Sequence, residues 1–110
     1  MFGQNPLNSA VINTASTGDN IVIAAVTGRR ILVWKMNFTV GGATTITAYS
    51  DVQATGTALS GAYNLTANGS SLFFPYDSSP YFITAQGKSF NLYSTGTTIQ
   101  ISGAIYYTTV

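Results

Sequence analysis

Apolar and polar side chains alternate along much of this chain with a period of two, the spacing at which successive residues of a β-strand point to opposite faces. The clearest stretch lies within residues 30–40, where Lys35, Asn37 and Thr39 occupy odd positions. The even positions there are apolar: Leu32, Trp34, Met36, Phe38 and Val40. The alternation predicts a half-buried strand with its even face inward, which leaves Ile31 and Val33 on the outer face.

Shorter runs of the same kind follow throughout the sequence, separated by turn sequences such as Thr17-Gly18-Asp19-Asn20 and Asn68-Gly69. They cover residues 9–15, 20–26, 43–50, 71–74, 81–85, 88–94 and 99–107. Gly103 interrupts the apolar row of the last run and predicts a bend or a bulge. About eight short strands at near-regular spacing, with no helical periodicity, predict an all-β fold: one antiparallel β-sandwich of jelly-roll type.

A chain of 110 residues is long enough for one domain with a real core and too short for two. We expect residues 9–110 to form the sandwich and residues 1–8 to form a short N-terminal arm, in which Phe2 and Leu7 are apolar anchors. The expected core comprises Leu32, Trp34, Phe38, Ile46, Phe90, Leu92, Ile99, Ile101 and Ile105.

Charge is scarce. Only 6% of residues are charged and the formal net charge is +1, against a usual charged fraction of about 25%. Hydroxyl groups supply the polarity instead, from sixteen Thr and eleven Ser. A surface of this kind gives no electrostatic footprint for nucleic acid or for an anionic membrane, and it offers little repulsion between copies packed in an assembly.

Residue types that usually carry catalysis are missing, since the sequence has no His, Glu or Cys. The three acids Asp19, Asp51 and Asp77 each neighbour a turn or a strand end, where they are expected to cap turns. Lys88 and Ser89 are adjacent, but neighbours on a strand point to opposite faces, which argues against a Ser–Lys pair. We therefore expect no enzymatic activity, no cofactor and no metal site.

Aromatic residues are the more informative feature. Phe73, Phe82 and Phe90 are interpreted as core residues of the sandwich. Tyrosines combine an apolar ring with a polar tip and suit interfaces or sugar-binding platforms. The candidate interface residues are Phe2, Leu7, Tyr76, Tyr81, Tyr93 and Tyr106.

The first residues have no basic segment followed by an apolar one, so no signal peptide is expected. No apolar run approaches the roughly 20 residues that span a bilayer. From the sequence we expect a protein that is not exported by the usual route and that contacts neither membrane nor nucleic acid.

The order of the motifs is itself distinctive. In sequence they are Thr17–Asn20, Thr27–Val33, Gly56–Ala62, Leu65–Gly69, Pro75-Tyr76, Gly87–Leu92 and Ile101–Tyr107. Over roughly residues 17–110 this order resembles small β-sandwich proteins of tailed bacteriophage virions, the capsid decoration or cement class.

That resemblance implies a non-enzymatic virion protein, assembled in the host cytoplasm, that binds the major capsid protein or another virion protein, often as a trimer. Bridging neighbouring subunits of the shell requires shape complementarity and apolar anchors in many copies. Two alternatives stay open: a carbohydrate-binding module of a fibre, with the tyrosines on sugar, and a structural subunit of the tail or neck.

Overall fold

The computed structural model describes residues 7–110, and over that range the secondary structure is entirely β. The ten strands are β1 (Asn8–Thr14), β2 (Gly18–Ile23), β3 (Ile31–Val40), β4 (Thr44–Ser50), β5 (Thr57–Ala58), β6 (Tyr63–Leu65), β7 (Ser71–Phe74), β8 (Phe82–Ile83), β9 (Phe90–Ser94) and β10 (Ile101–Thr109). The predicted all-β class is confirmed.

The strands form two antiparallel sheets of five. The first sheet has the order β1-β10-β3-β7, with β8 also paired to β3, and the second has the order β2-β9-β4-β5, with β6 also paired to β4. The chain thus runs out through β1 to β4 and doubles back, so that β1 meets β10, β2 meets β9, β3 meets β7 and β8, and β4 meets β5 and β6. A long hairpin folded over itself in this way is the jelly-roll form of the β-sandwich.

Each of the eight predicted runs overlaps a strand, and residues 71–74 agree to the residue. The alternation missed β5 and β6, which are two and three residues long and therefore hold too few positions to show a period. β1 begins at Asn8, whose register partner is Tyr107, so this residue of the predicted arm belongs to the sandwich. The remainder of that arm, up to residue 6, lies outside the described residues.

The core fills the space between the two sheets with aliphatic and aromatic side chains. Among the predicted core residues, six are buried: Phe38, Ile46, Phe90, Leu92, Ile101 and Ile105. Phe82 is also buried, and the centroid of its ring lies 5.6 Å from the centroid of the Phe90 ring. Ile99 is only half-buried against this core because it precedes β10.

β3 contains a β-bulge near its middle. Its pairing with β10 places Lys35 opposite Tyr106 and then Val33 opposite Tyr107, so that Trp34 is an extra residue without a register partner. An extra residue in one strand moves the alternation of faces by one position. The strand therefore presents even residues to the core beyond the bulge and odd residues before it.

This shift overturns part of the predicted core. Ile31 and Val33 are fully buried, whereas they were expected on the outer face, and Leu32 and Trp34 are half-buried instead of central. A pattern of apolar residues on both faces cannot show where such a register change falls. The even assignment is correct only from Met36 onward.

Trp34 is held by two contacts on the outside of the sheet: its ring stacks on Tyr76 and its indole N–H donates to Thr108 Oγ1 over 2.9 Å. We expect Trp34→Ala to lower the free energy of unfolding by about 1–2 kcal/mol, the combined scale of one aromatic pair and one hydrogen bond. Trp34→Phe should recover part of this loss. Denaturant titration decides it, and a loss above about 3 kcal/mol would indicate a core residue.

Gly103 in β10 marks a close approach between two backbones. It pairs in register with Phe38, and the register runs through without a shift. A Cβ atom at this position would lie 2.6 Å from the Cα of Phe38 and would also collide with the carbonyl oxygen of Asn37. The glycine is therefore required by the packing of β10 on β3, and the bulge of this pair is at Trp34.

Candidate interaction surface

The outward face of the first sheet exposes large apolar side chains. In β7, Phe74 is half-buried while Phe73 is 64% exposed, and Phe73 lies opposite Asn37 of β3. In β8, Phe82 is buried while Ile83 is 48% exposed. Because adjacent residues of a strand point to opposite sides, Phe73 and Ile83 both lie on the solvent side of this sheet.

A stacked aromatic pair lies on the same side. The rings of Trp34 and Tyr76 have centroids 5.9 Å apart and an angle of 28° between their planes. Trp34 bonds to Thr108, whose register partner Leu32 lies between two buried residues and therefore faces outward. Tyr76 remains 58% exposed although it is stacked. The bulge thus places the only tryptophan of the chain beneath an exposed tyrosine.

A positively charged side chain, that of Lys35, follows Trp34 on the same face. The Lys35 ammonium is 5.1 Å from the centre of the Tyr106 ring, and the two residues are register partners on the outward face. An ammonium group at this distance is attracted to the negative face of the ring. We call the set Trp34, Phe73, Tyr76, Ile83 and Tyr106 the aromatic face.

The structure separates the remaining predicted interface residues. Tyr81 is half-buried; its hydroxyl donates to the Pro75 carbonyl over 2.6 Å, so it closes the loop that carries Tyr76. Tyr93 lies in β9 of the second sheet, half-buried and edge-on to Tyr49. Leu7 is half-buried just before β1. Phe2 falls outside the described residues.

The three aspartates make separate contacts. Asp19 accepts from the backbone N–H of Gln53 over 2.8 Å, Asp77 accepts from that of Ser78 over 2.7 Å, and Asp51 lies 3.5 Å from the Lys88 ammonium. Residues 7–110 hold no group of three His, Cys, Asp or Glu side chains near one another.

The surroundings of Asp51 change the pKa of its carboxyl. A hydrogen bond from the backbone N–H of Val52 lowers the pKa of its carboxyl below the ordinary 3.8, and the Thr55 hydroxyl and Lys88 act in the same direction. Partial desolvation of the carboxylate acts in the opposite direction and is second in size to the Val52 hydrogen bond. Asp51 also has a positive φ of 75°. These contacts shape the loop between β4 and β5, where the chain doubles back.

A shallow groove of about 590 Å³ lies on the second sheet, away from the aromatic face. It is lined by Ala43, Thr44, Thr45, Asn64, Leu65, Thr66 and Thr95. Three of its hydroxyls already have partners: Thr45 and Thr95 bond to each other over 2.7 Å, and Thr44 bonds to Ser94 over 2.8 Å. The groove therefore offers fewer free donors than its composition indicates.

Sequence reasoning missed three members of the aromatic face, namely Trp34, Phe73 and Ile83, and it gave Ile83 no role. Phe73 was interpreted as core, which is wrong, although two consecutive phenylalanines in one strand already require that one of them faces outward. Trp34 was expected inside because nothing in the sequence marks the bulge. Tyr76 and Tyr106 were proposed as interface residues, and the structure brings both to one face.

Comparison with known proteins identifies no family: no family model and no curated protein matches the chain. Among residues 7–110 no helix is long and apolar enough to cross a membrane.

Proposed function

We propose that this chain is a non-enzymatic accessory protein of a tailed bacteriophage particle, which binds the assembled head shell through the aromatic face and stabilises it. The observation that carries the binding role is the exposure of Phe73, Tyr76 and Ile83 on one side of a single sheet. The virion assignment rests on the resemblance of the motif order described above.

Large rigid side chains on a sheet suit a protein partner. Aromatic residues bury much surface at little cost in side-chain entropy, and they are enriched among the residues that dominate binding energy. The neighbouring outward positions are polar and mostly uncharged, including Asn37, Thr39 and Ser102. Such a rim can exclude water, and the attraction of the Lys35 ammonium to the Tyr106 ring offsets part of the cost of removing that charge from water.

A decoration protein stabilises a shell through the large number of copies that bind to it. A decoration protein occupies many equivalent positions, and each copy that bridges two shell subunits must be released before those subunits separate. Modest affinity per site is then sufficient. The role requires a fold that resists distortion, which the two packed sheets provide.

The test uses shells assembled from the major capsid protein of the phage proposed to carry this chain, in immature and expanded forms, together with purified polysaccharide of its host. We expect saturable co-sedimentation with expanded shells. Phe73→Ser and Tyr76→Ser should each weaken binding by about tenfold or more, equivalent to about 1.4 kcal/mol. Ile21→Ser is the matched control, because Ile21 is 61% exposed but lies in the second sheet.

Equal binding by all three variants would overturn the assignment to the aromatic face. If the unmodified chain bound neither the immature nor the expanded shell, the proposed function would be overturned.

Deleting residues 1–6 tests the predicted contribution of Phe2 without touching β1. Binding to polysaccharide alone would move the exposed Tyr76 ring and its stacked Trp34 to the carbohydrate-binding alternative, since such platforms also stack on sugars.

A further inference from the structure

We propose that β1 is a self-association edge: two copies of this chain pair their β1 strands antiparallel, around a two-fold axis at Val11, and join their first sheets into one. The occupant of the edge is thus a second copy. This proposal does not depend on binding to a phage shell.

Among the described residues 7–110, nothing pairs with the outer edge of β1. β1 pairs with β10 on one side and ends the first sheet on the other. Within the described part of the chain, the backbone groups of residues 8–13 make no hydrogen bond other than those to β10. A row of unpaired N–H and C=O groups is a template for another strand.

The other edge strands of the sandwich have features that discourage pairing with another chain, and β1 has none of these features. β2 carries the charged Asp19 and a register shift between Ile21 and Ile23. β5, β6, β7 and β8 are each only two to four residues long. β1 has seven residues, continuous register, no charge and no proline. Short length, bulges and charge are the means by which proteins prevent edge pairing.

The sequence of β1 is also matched to itself. Read around Val11, an antiparallel pair places Val11 against Val11, Ala10 against Ile12 and Ser9 against Asn13. Apolar residues thus meet apolar residues, and polar residues meet polar ones. Val11 is 77% exposed, and the pairing would cover it with its own copy. Residues directly opposite one another in such a pair share one face of the sheet.

Two-fold symmetry follows from this geometry, because the same patch serves both partners. It differs from the trimer that the family resemblance implies. Val11 is also separated from Phe73 by two strands, since β10 and β3 lie between β1 and β7. Tyr106, opposite Ser9, is the member of the aromatic face that neighbours β1. A dimer through β1 would therefore leave Phe73 and Tyr76 free for another partner.

Single cysteines provide the direct test, because the natural chain has none. Opposed residues of an antiparallel pair have Cα atoms about 4.5–5.5 Å apart, within the range of a disulfide. Val11→Cys should therefore form a covalent dimer under mild oxidation. Ser9→Cys and Asn13→Cys should link to each other when mixed, and far less when each is alone. Ile21→Cys is the control, because Ile21 is also largely exposed, at 61%, but lies on β2.

Sedimentation of the unmodified chain should show a species of twice 11.6 kDa at micromolar concentration. Val11→Lys places two like charges opposite each other and should raise the dissociation constant about tenfold or more, whereas Val11→Thr should not. A monomer at these concentrations, a trimer, a dimer indifferent to Val11→Lys, or equal crosslinking by Ile21→Cys would each overturn the proposal.

Discussion

Gly103→Ala is expected to lower the free energy of unfolding by about 3 kcal/mol or more, at the upper end of what overpacking costs. The added methyl group would meet backbone atoms of Asn37 and Phe38. Backbone cannot rotate away as the end of a side chain can, so β10 would have to move off β3. Denaturant titration monitored by circular dichroism measures the loss.

Gly61→Ala is the control for this substitution, because a Cβ at Gly61 meets no atom within 4 Å. It should leave the free energy of unfolding unchanged or slightly raised, since alanine restricts the unfolded chain. A loss below about 1 kcal/mol for Gly103→Ala would show that the two strands lie further apart than described.

Phe38→Ala is expected to cost about 3–5 kcal/mol, the usual range for emptying a buried phenylalanine site. Phe38 is 2% exposed and lies on β3 between the two sheets. The surrounding strands are fixed by their hydrogen bonds and can collapse only partly into the space. Thermal or denaturant unfolding gives the value.

Phe73→Ala removes the same side chain from the opposite side of the same sheet. Phe73 lies one strand away from Phe38 and faces solvent, so its loss should cost less than about 1 kcal/mol. The affinity for shells should show the reverse order, so that Phe73→Ala weakens binding more than Phe38→Ala does. Equal losses of stability from the two variants would contradict the assignment of inner and outer faces.

The fold was predictable because apolar and polar residues alternate with a period of two when a sheet buries one face and exposes the other. Leu92 and Ile101 were placed correctly for that reason. The period holds only while pairing is regular, and the bulge at Trp34 reversed the faces of Ile31 and Val33 without altering a single residue type. One extra residue among apolar neighbours leaves no mark in the alternation.

The aromatic face was harder to predict because it is assembled from strands far apart in sequence. Tyr76 and Tyr106 have the composition of interface residues, and this much could be read from their type. Their common face depends on the strand order β10-β3-β7 and on the stack between Tyr76 and Trp34. Neither is a local property, so the sequence predicted members of a surface without predicting the surface.

The doubled-back hairpin also has a consequence for how the chain reaches its native state. The loop after β4 joins strands that are close in sequence, whereas the pair of β1 with β10 joins the two ends of the described chain. Folds dominated by such distant pairings have high contact order and fold slowly, in about milliseconds to seconds. Because closing a longer loop costs more entropy, the strand pairs around β4 are favoured to form first and the pair of β1 with β10 last. β10 is therefore an uncovered edge until β1 arrives, and a newly made chain is most exposed to association with its neighbours during that interval.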